Sequence, residues 1–218
     1  MKQNRLFIVS FILNILTFLL VVAGTIVMFT IGSGALQDKG LSVFKYFTFQ
    51  SNLFMGFVSA IYAYYQLLII KNKKEKIPHV LNVFYHVGVS AVGLTFVIVI
   101  AFLAPGYGFD KMYNQANLFF HALVPILAII NYIFFSETAK IKVLDTLFAI
   151  IPSLSYGIVY FIVVASLNGY GNLDIDFYLF GANGPLIGAF NFFAVVSIAY
   201  SIALFVFFIN RLVFKKRK

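Results

Sequence analysis

Six stretches of this sequence run for 20 to 26 residues without a single Asp, Glu, Lys or Arg, and that feature limits the fold more than any other. They cover 6–31, 47–70, 83–104, 116–135, 147–167 and 185–209. At 1.5 Å of rise per residue, about 20 residues cross a hydrocarbon layer of about 30 Å. Each run is continuously apolar rather than alternating, which favours helices over the dyad pattern of a barrel. The sequence therefore predicts an all-α polytopic membrane protein: one domain over 1–218, a bundle of six transmembrane helices. The first run follows Lys2 and Arg5, as a secretory signal would, but it exceeds the roughly 7–15 residues of a signal h-region and is read as a retained helix.

Composition agrees. Hydrophobic residues make up 62% of the 218, and charged residues 11%, against about 25% in a soluble domain. This excludes a soluble globular domain and a disordered chain. There is no Cys, so disulfides, thiolate catalysis, Cys-ligated metals and palmitoylation are excluded as well.

The net charge of +9 resembles a nucleic-acid signal until the charges are placed. Thirteen of the 16 basic residues fall on one side of the spans: Lys2, Arg5, Lys71, Lys73, Lys74, Lys76, Lys140, Lys142, Arg211, Lys215, Lys216, Arg217 and Lys218. Only Lys39, Lys45 and Lys111 fall on the other. By the positive-inside rule both termini are cytoplasmic, in a multi-pass protein of the cell membrane. The charge reports orientation, and no nucleic-acid partner is expected.

Polar groups within a span are costly, so their positions are informative. Thr48 and Asn52 share a face at the outer start of the second span, with Ser51 beside them. Asn114, Asn117, His121 and Pro125 share a face at the outer start of the fourth. Asn183 and Asn191 lie at the same end of the sixth. The longest connection, 168–184, carries Asp174, Asp176 and the aromatics Phe177, Tyr178 and Phe180. A hydroxyl, an imidazole and several amides at one end of a bundle suit an activated nucleophile. Thr48 needs a base to take its proton, and neutral His121 is the usual kind. Asn52 and Asn117 are candidate oxyanion or supporting groups, with Ser51 and Asn191 nearby, and Asp174 or Asp176 is placed to orient the imidazole. The competing reading is that Ser, Thr and Asn hydrogen-bond between helices, with Thr48 an ordinary helix-start residue. Asn14 and Asn131, near the basic side, read as packing residues. His79 and His86 lack the spacing of a helical metal pair, so no metal or other cofactor is expected.

The run FKYFTFQSNL at 44–53 and the run NLFFHALVPIL at 117–127 resemble the androgen-induced-gene family of six-helix membrane hydrolases and its bacterial relatives. A weaker third element is the fifth span from Pro152 through Tyr156 and Tyr160, followed by a Gly- and aromatic-bearing loop. The resemblance covers about 44–180. It implies a threonine hydrolase of fatty-acyl esters, with Thr48 as nucleophile and His121 as base, and membrane lipids and a lipid ester as partners. The loop departs from the family pattern, because Asp176-Phe177-Tyr178-Leu179-Phe180 lacks the expected Pro. The alternatives are an acyl transferase using the same residues, a non-catalytic membrane protein and a small transporter of an uncharged solute. No charged residue lies inside a span to serve an ion pathway, which argues against the transporter.

Overall fold

Backbone N–H and C=O groups find no water in hydrocarbon, so a spanning segment must pair them internally, and a helix does this alone. A computed structural model describes residues 2–33, 38–136 and 141–215. Each of the six charge-free runs forms a helix in it. They are α1 Lys2–Thr30, α2 Phe47–Ile70, α3 His79–Tyr107, α4 Gln115–Phe135, α5 Val143–Ser166 and α6 Pro185–Lys215. Among the described residues there is no strand. Of the basic residues used to orient the chain, Lys140, Lys216, Arg217 and Lys218 lie outside the described residues.

Three helices run past their charge-free stretches into charged residues. α1 starts at Lys2, α5 at Val143, just before Asp145, and α6 continues to Lys215. α3, His79–Tyr107, lengthens within sequence that carries no Asp, Glu, Lys or Arg between Lys76 and Asp110. Absence of charge marks the part in hydrocarbon, whereas a helix continues into the headgroup zone where long basic side chains are at ease. α5 opens as a 3₁₀ helix over Val143–Ala149 before becoming α-helical.

α1 packs on α2, α2 on α3, and α3 on both α4 and α6. Glycines permit the closest approaches. A Cβ on Gly56 would sit 2.7 Å from Val21, and one on Gly24 2.8 Å from Phe119. The tightest is Gly157 of α5, where a Cβ would lie 2.0 Å from the ring of Phe192 in α6. Gly157→Ala should therefore cost about 1–3 kcal/mol, as overpacking does. Pairing it with Phe192→Leu should recover most of that loss in thermal unfolding in detergent.

Helices α1, α2, α3, α4 and α6 are tied together at the end bearing most of the basic residues by a buried polar network. Ser10 Oγ lies 3.1 Å from Ser136 Oγ and accepts from Gln66 Nε2 at 3.0 Å. Asn14 donates to Gln66 at 2.9 Å, and Asn131 to the hydroxyl of Tyr85 at 2.8 Å. Asn210 donates to the carbonyls of Tyr132 and Ser136. Residues near both chain ends thus share one end of the bundle. Asn14 and Asn131 tie helices together, and the fully buried His86 joins Tyr132 through Nδ1 at 2.8 Å.

Three stretches of these helices are π-helical: Val99–Leu103, Phe119–Leu123 and Asn131–Phe135. The first two have a proline two residues after their last member, Pro105 and Pro125. Proline has no N–H for the carbonyl four residues back and its ring crowds that carbonyl, so the ladder widens just before it. In α4 the carbonyl that Pro125 forfeits is that of His121. The neighbouring amide of Val124 reaches back to Phe119 instead.

Candidate functional site

Thr48 is the second residue of α2. Its carbonyl accepts from Ser51 Oγ at 3.1 Å and from Asn52 Nδ2 at 2.8 Å. Asn52 spends its second amide hydrogen on the carbonyl of Phe120 at 3.1 Å. One fully buried side chain therefore locks the first turn of α2 to the π-helical turn of α4, one residue from His121. With both hydrogens committed, Asn52 has no amide hydrogen left to offer an oxyanion. Ser51 ties the same turn to α3 through Thr95 Oγ1 at 3.3 Å.

His121 is 6% exposed. Its Nδ1 lies 2.7 Å from the carbonyl oxygen of Met112. A carbonyl only accepts, so Nδ1 carries the proton and the neutral ring presents Nε2 as a bare acceptor. The group that orients the imidazole is thus a backbone carbonyl in the turn Phe109–Met112, not Asp174 or Asp176. Tyr113 stands edge-on to the ring, with centroids 6.4 Å apart.

Thr48 and His121 line one cavity of about 60 Å³, together with Asn117, Tyr46, Leu103 and Tyr178. A water molecule needs about 10–15 Å³ measured this way, so the space admits several. Asn117 has one amide hydrogen on the carbonyl of Lys111 at 3.3 Å and a second left over. Among the described residues no group hydrogen-bonds the hydroxyl of Thr48. Thr48 also borders a second, almost wholly apolar cavity of about 80 Å³ between α3, α5 and α6, whose walls include Leu94, Val99, Val164 and Phe192. Thr48, Leu103 and Tyr178 are common to both cavities, so the threonine stands where a wettable pocket meets an apolar slot.

The connection between α5 and α6 forms the roof. Asp176 is fully buried in it. One carboxylate oxygen accepts from the hydroxyl of Tyr160 at 2.6 Å; the other accepts from the amides of Gly171 at 3.0 Å and Gly181 at 2.9 Å. Asp176 therefore organises the loop and borders the apolar slot, while Asp174 is exposed and lines neither cavity. Asn191 pins the loop to α6 through the carbonyl of Phe180 at 3.0 Å and lines neither cavity. The roof places Tyr178 over α2, where its hydroxyl oxygen accepts from the first helical amide, that of Phe47, at 3.1 Å. Tyr156 donates to the carbonyl of Lys45 at 2.5 Å on the same side. Tyr156 and Tyr160 at i, i+4 and the aromatics Phe177, Tyr178 and Phe180 are the sequence signs of this clamp on the start of α2.

Burial pushes Tyr178 up to about 12, and burial with the neighbouring Asp38 carboxylate raises Tyr46 further still. Both phenols are neutral near pH 7. Burial alone would raise Asp38, but hydrogen bonds from Tyr46 and Lys45 outweigh it and hold the carboxyl below its ordinary range. Its folded value being depressed, Asp38 stabilises the approach to the site above about pH 4 and loses that contribution as pH falls through the folded value.

Pro125 has a direct bearing on this geometry. Pro125→Ala supplies an amide for the carbonyl of His121 and should let the π-helical turn relax to α-helix. That moves the imidazole relative to Thr48. If the pair acts chemically, activity should fall by about 10²-fold, the effect of a displacement near 1 Å, with the melting temperature little changed.

Comparisons with known protein families, with curated proteins and with solved structures find no match to this chain.

Proposed function

We propose that this membrane protein is a lipid-ester hydrolase in which Thr48 is the nucleophile and His121 the base, as the resemblance to the androgen-induced-gene family implies. The observation that carries the reading is the shared cavity: an unengaged threonine hydroxyl and a histidine whose Nδ1 proton is held by Met112 border the same space. In the first step Thr48 Oγ1 attacks the ester carbonyl carbon and its proton passes to His121 Nε2. The tetrahedral intermediate then collapses. The bond to the alcohol oxygen breaks, and His121 returns the proton to that oxygen. Water next attacks the threonyl ester, again giving a proton to Nε2, and the carboxylic acid leaves as Thr48 recovers its hydrogen. The spare amide hydrogen of Asn117 is the candidate donor to the oxyanion. The apolar slot suits the acyl chain and the 60 Å³ pocket suits the water.

With the basic end on the cytoplasmic face of the cell membrane, the site lies near the outer leaflet, within reach of membrane lipids as substrates or partners. Purified protein in detergent should hydrolyse long-chain esters and take up a fluorophosphonate probe at Thr48, located by peptide mass spectrometry. Turnover without labelling at Thr48 would place the chemistry elsewhere; absence of both across a panel of acyl esters sinks the hydrolase reading.

A further inference from the structure

A crevice of about 580 Å³ lies between α2 and α5, larger than either cavity at Thr48 and open to the bilayer side. Its walls are the faces Phe47, Ser51 and Phe54 of α2 and Pro152, Val159 and Val163 of α5, with Ala91 of α3 as floor. From 152 to 163, α5 lines it for about 16 Å. Phe54 and Pro152 also border a second hollow of about 450 Å³, which continues to the opposite end of α5. Val159 and Val163 are 61% and 44% exposed, so among the described residues this face is left uncovered. Hydrocarbon chains fill such a void in a bilayer, because an unfilled apolar surface forfeits its dispersion contacts.

The mouth determines which lipid fits. Lys45 lines it, and its ammonium lies over the rings of Tyr46 and Phe177 at 5.1 and 5.4 Å. The described acceptor at this ammonium is Asp38, 3.2 Å away. That carboxylate also accepts from Tyr46 and Ser42. An ammonium has three hydrogens, which leaves Lys45 two for another anion. Gln50 and Ser155 add polar groups along the walls.

We propose that the α2–α5 crevice binds one anionic phospholipid, its acyl chain along Phe54, Pro152, Val159 and Val163 and its phosphate at Lys45. The site is separate from the Thr48 cavity and does not depend on hydrolysis. Phe47, Tyr156 and Tyr160 form the wall common to the crevice and the apolar slot, so a lipid held here abuts the chemistry proposed above.

The chain has no Trp, so one introduced tryptophan reports alone. Val163→Trp places it in the crevice, and Phe205→Trp on the lipid-facing side of α6, 62% exposed, serves as the control. Each is reconstituted in vesicles with phosphatidylglycerol or phosphatidylcholine brominated in the acyl chain, and quenching gives the relative affinity. The crevice reporter should favour phosphatidylglycerol by about fivefold, the size of effect one lysine has on an anionic lipid. The control should show no preference. Lys45→Met should bring the crevice value to parity, and high salt should do so in the chain that retains Lys45, which guards against a folding defect in the variant. Equal affinities at both reporters, or a preference that survives both Lys45→Met and high salt, would overturn the proposal.

Discussion

Thr48→Ala should lower ester hydrolysis by about 10³-fold and abolish fluorophosphonate labelling, while Thr48→Ser retains both. The magnitude follows from the role. A hydroxyl attacked by no base is a poor nucleophile, and positioned proton transfer alone contributes about 10²–10⁴-fold. His121→Ala should cost a similar factor. The double variant should lose little more than either single one, because groups that act as a unit are non-additive when removed. Stability separates this from a packing role. Thr48 gives no hydrogen bond from its hydroxyl to a described residue, so its truncation should leave the melting temperature nearly unchanged. If instead both variants keep full turnover and labelling, the pair is structural and the 60 Å³ cavity is a packing defect between α1, α2 and α4.

Ser51 and Asn52 should behave differently. Asn52→Ala removes two hydrogen bonds that join Thr48 to the turn of His121, so it should lower activity and stability together. That contrast between an unengaged hydroxyl and a fully engaged amide marks what could be read from the sequence and what could not. The helices were legible because hydrocarbon excludes charge: a run without Lys, Arg, Asp or Glu is a physical requirement, and α2 begins at Phe47 where its run begins. The excursions beyond the runs were not, since helix continues where charge is tolerated. Thr48 and His121 were legible as scarce polar residues at one end of their spans. The partner of the imidazole was not, because it is the backbone carbonyl of Met112, and a backbone atom leaves no mark in a residue pattern. The use of each amide hydrogen of Asn52 depends on the crossing of α2 and α4, which spacing along one helix does not specify. The two aspartates of the long loop look alike in sequence, yet one is fully buried and the other exposed.

That buried aspartate carries the largest expected effect on stability. Asp176→Ala strands two loop amides and the hydroxyl of Tyr160 at once. Leaving a buried donor without its partner costs about 1–3 kcal/mol, and three donors lose theirs here, so a loss of about 3–5 kcal/mol is expected. In a chain of this size 1 kcal/mol moves the melting temperature by about 2–4 °C, so the variant should melt about 10–15 °C lower in detergent. Asp176→Asn should lie between, because an amide oxygen can still accept from Gly171 and Gly181 while its nitrogen faces Tyr160. The loss should reach the site through Tyr178, whose hold on the first amide of α2 depends on the roof staying in place. Activity in both variants should therefore track the fraction of folded roof and recover on cooling. An Asp176→Asn protein that melts normally yet has no activity would instead make this carboxylate a participant in the chemistry, and the division of labour between Met112 and Asp176 would have to be redrawn.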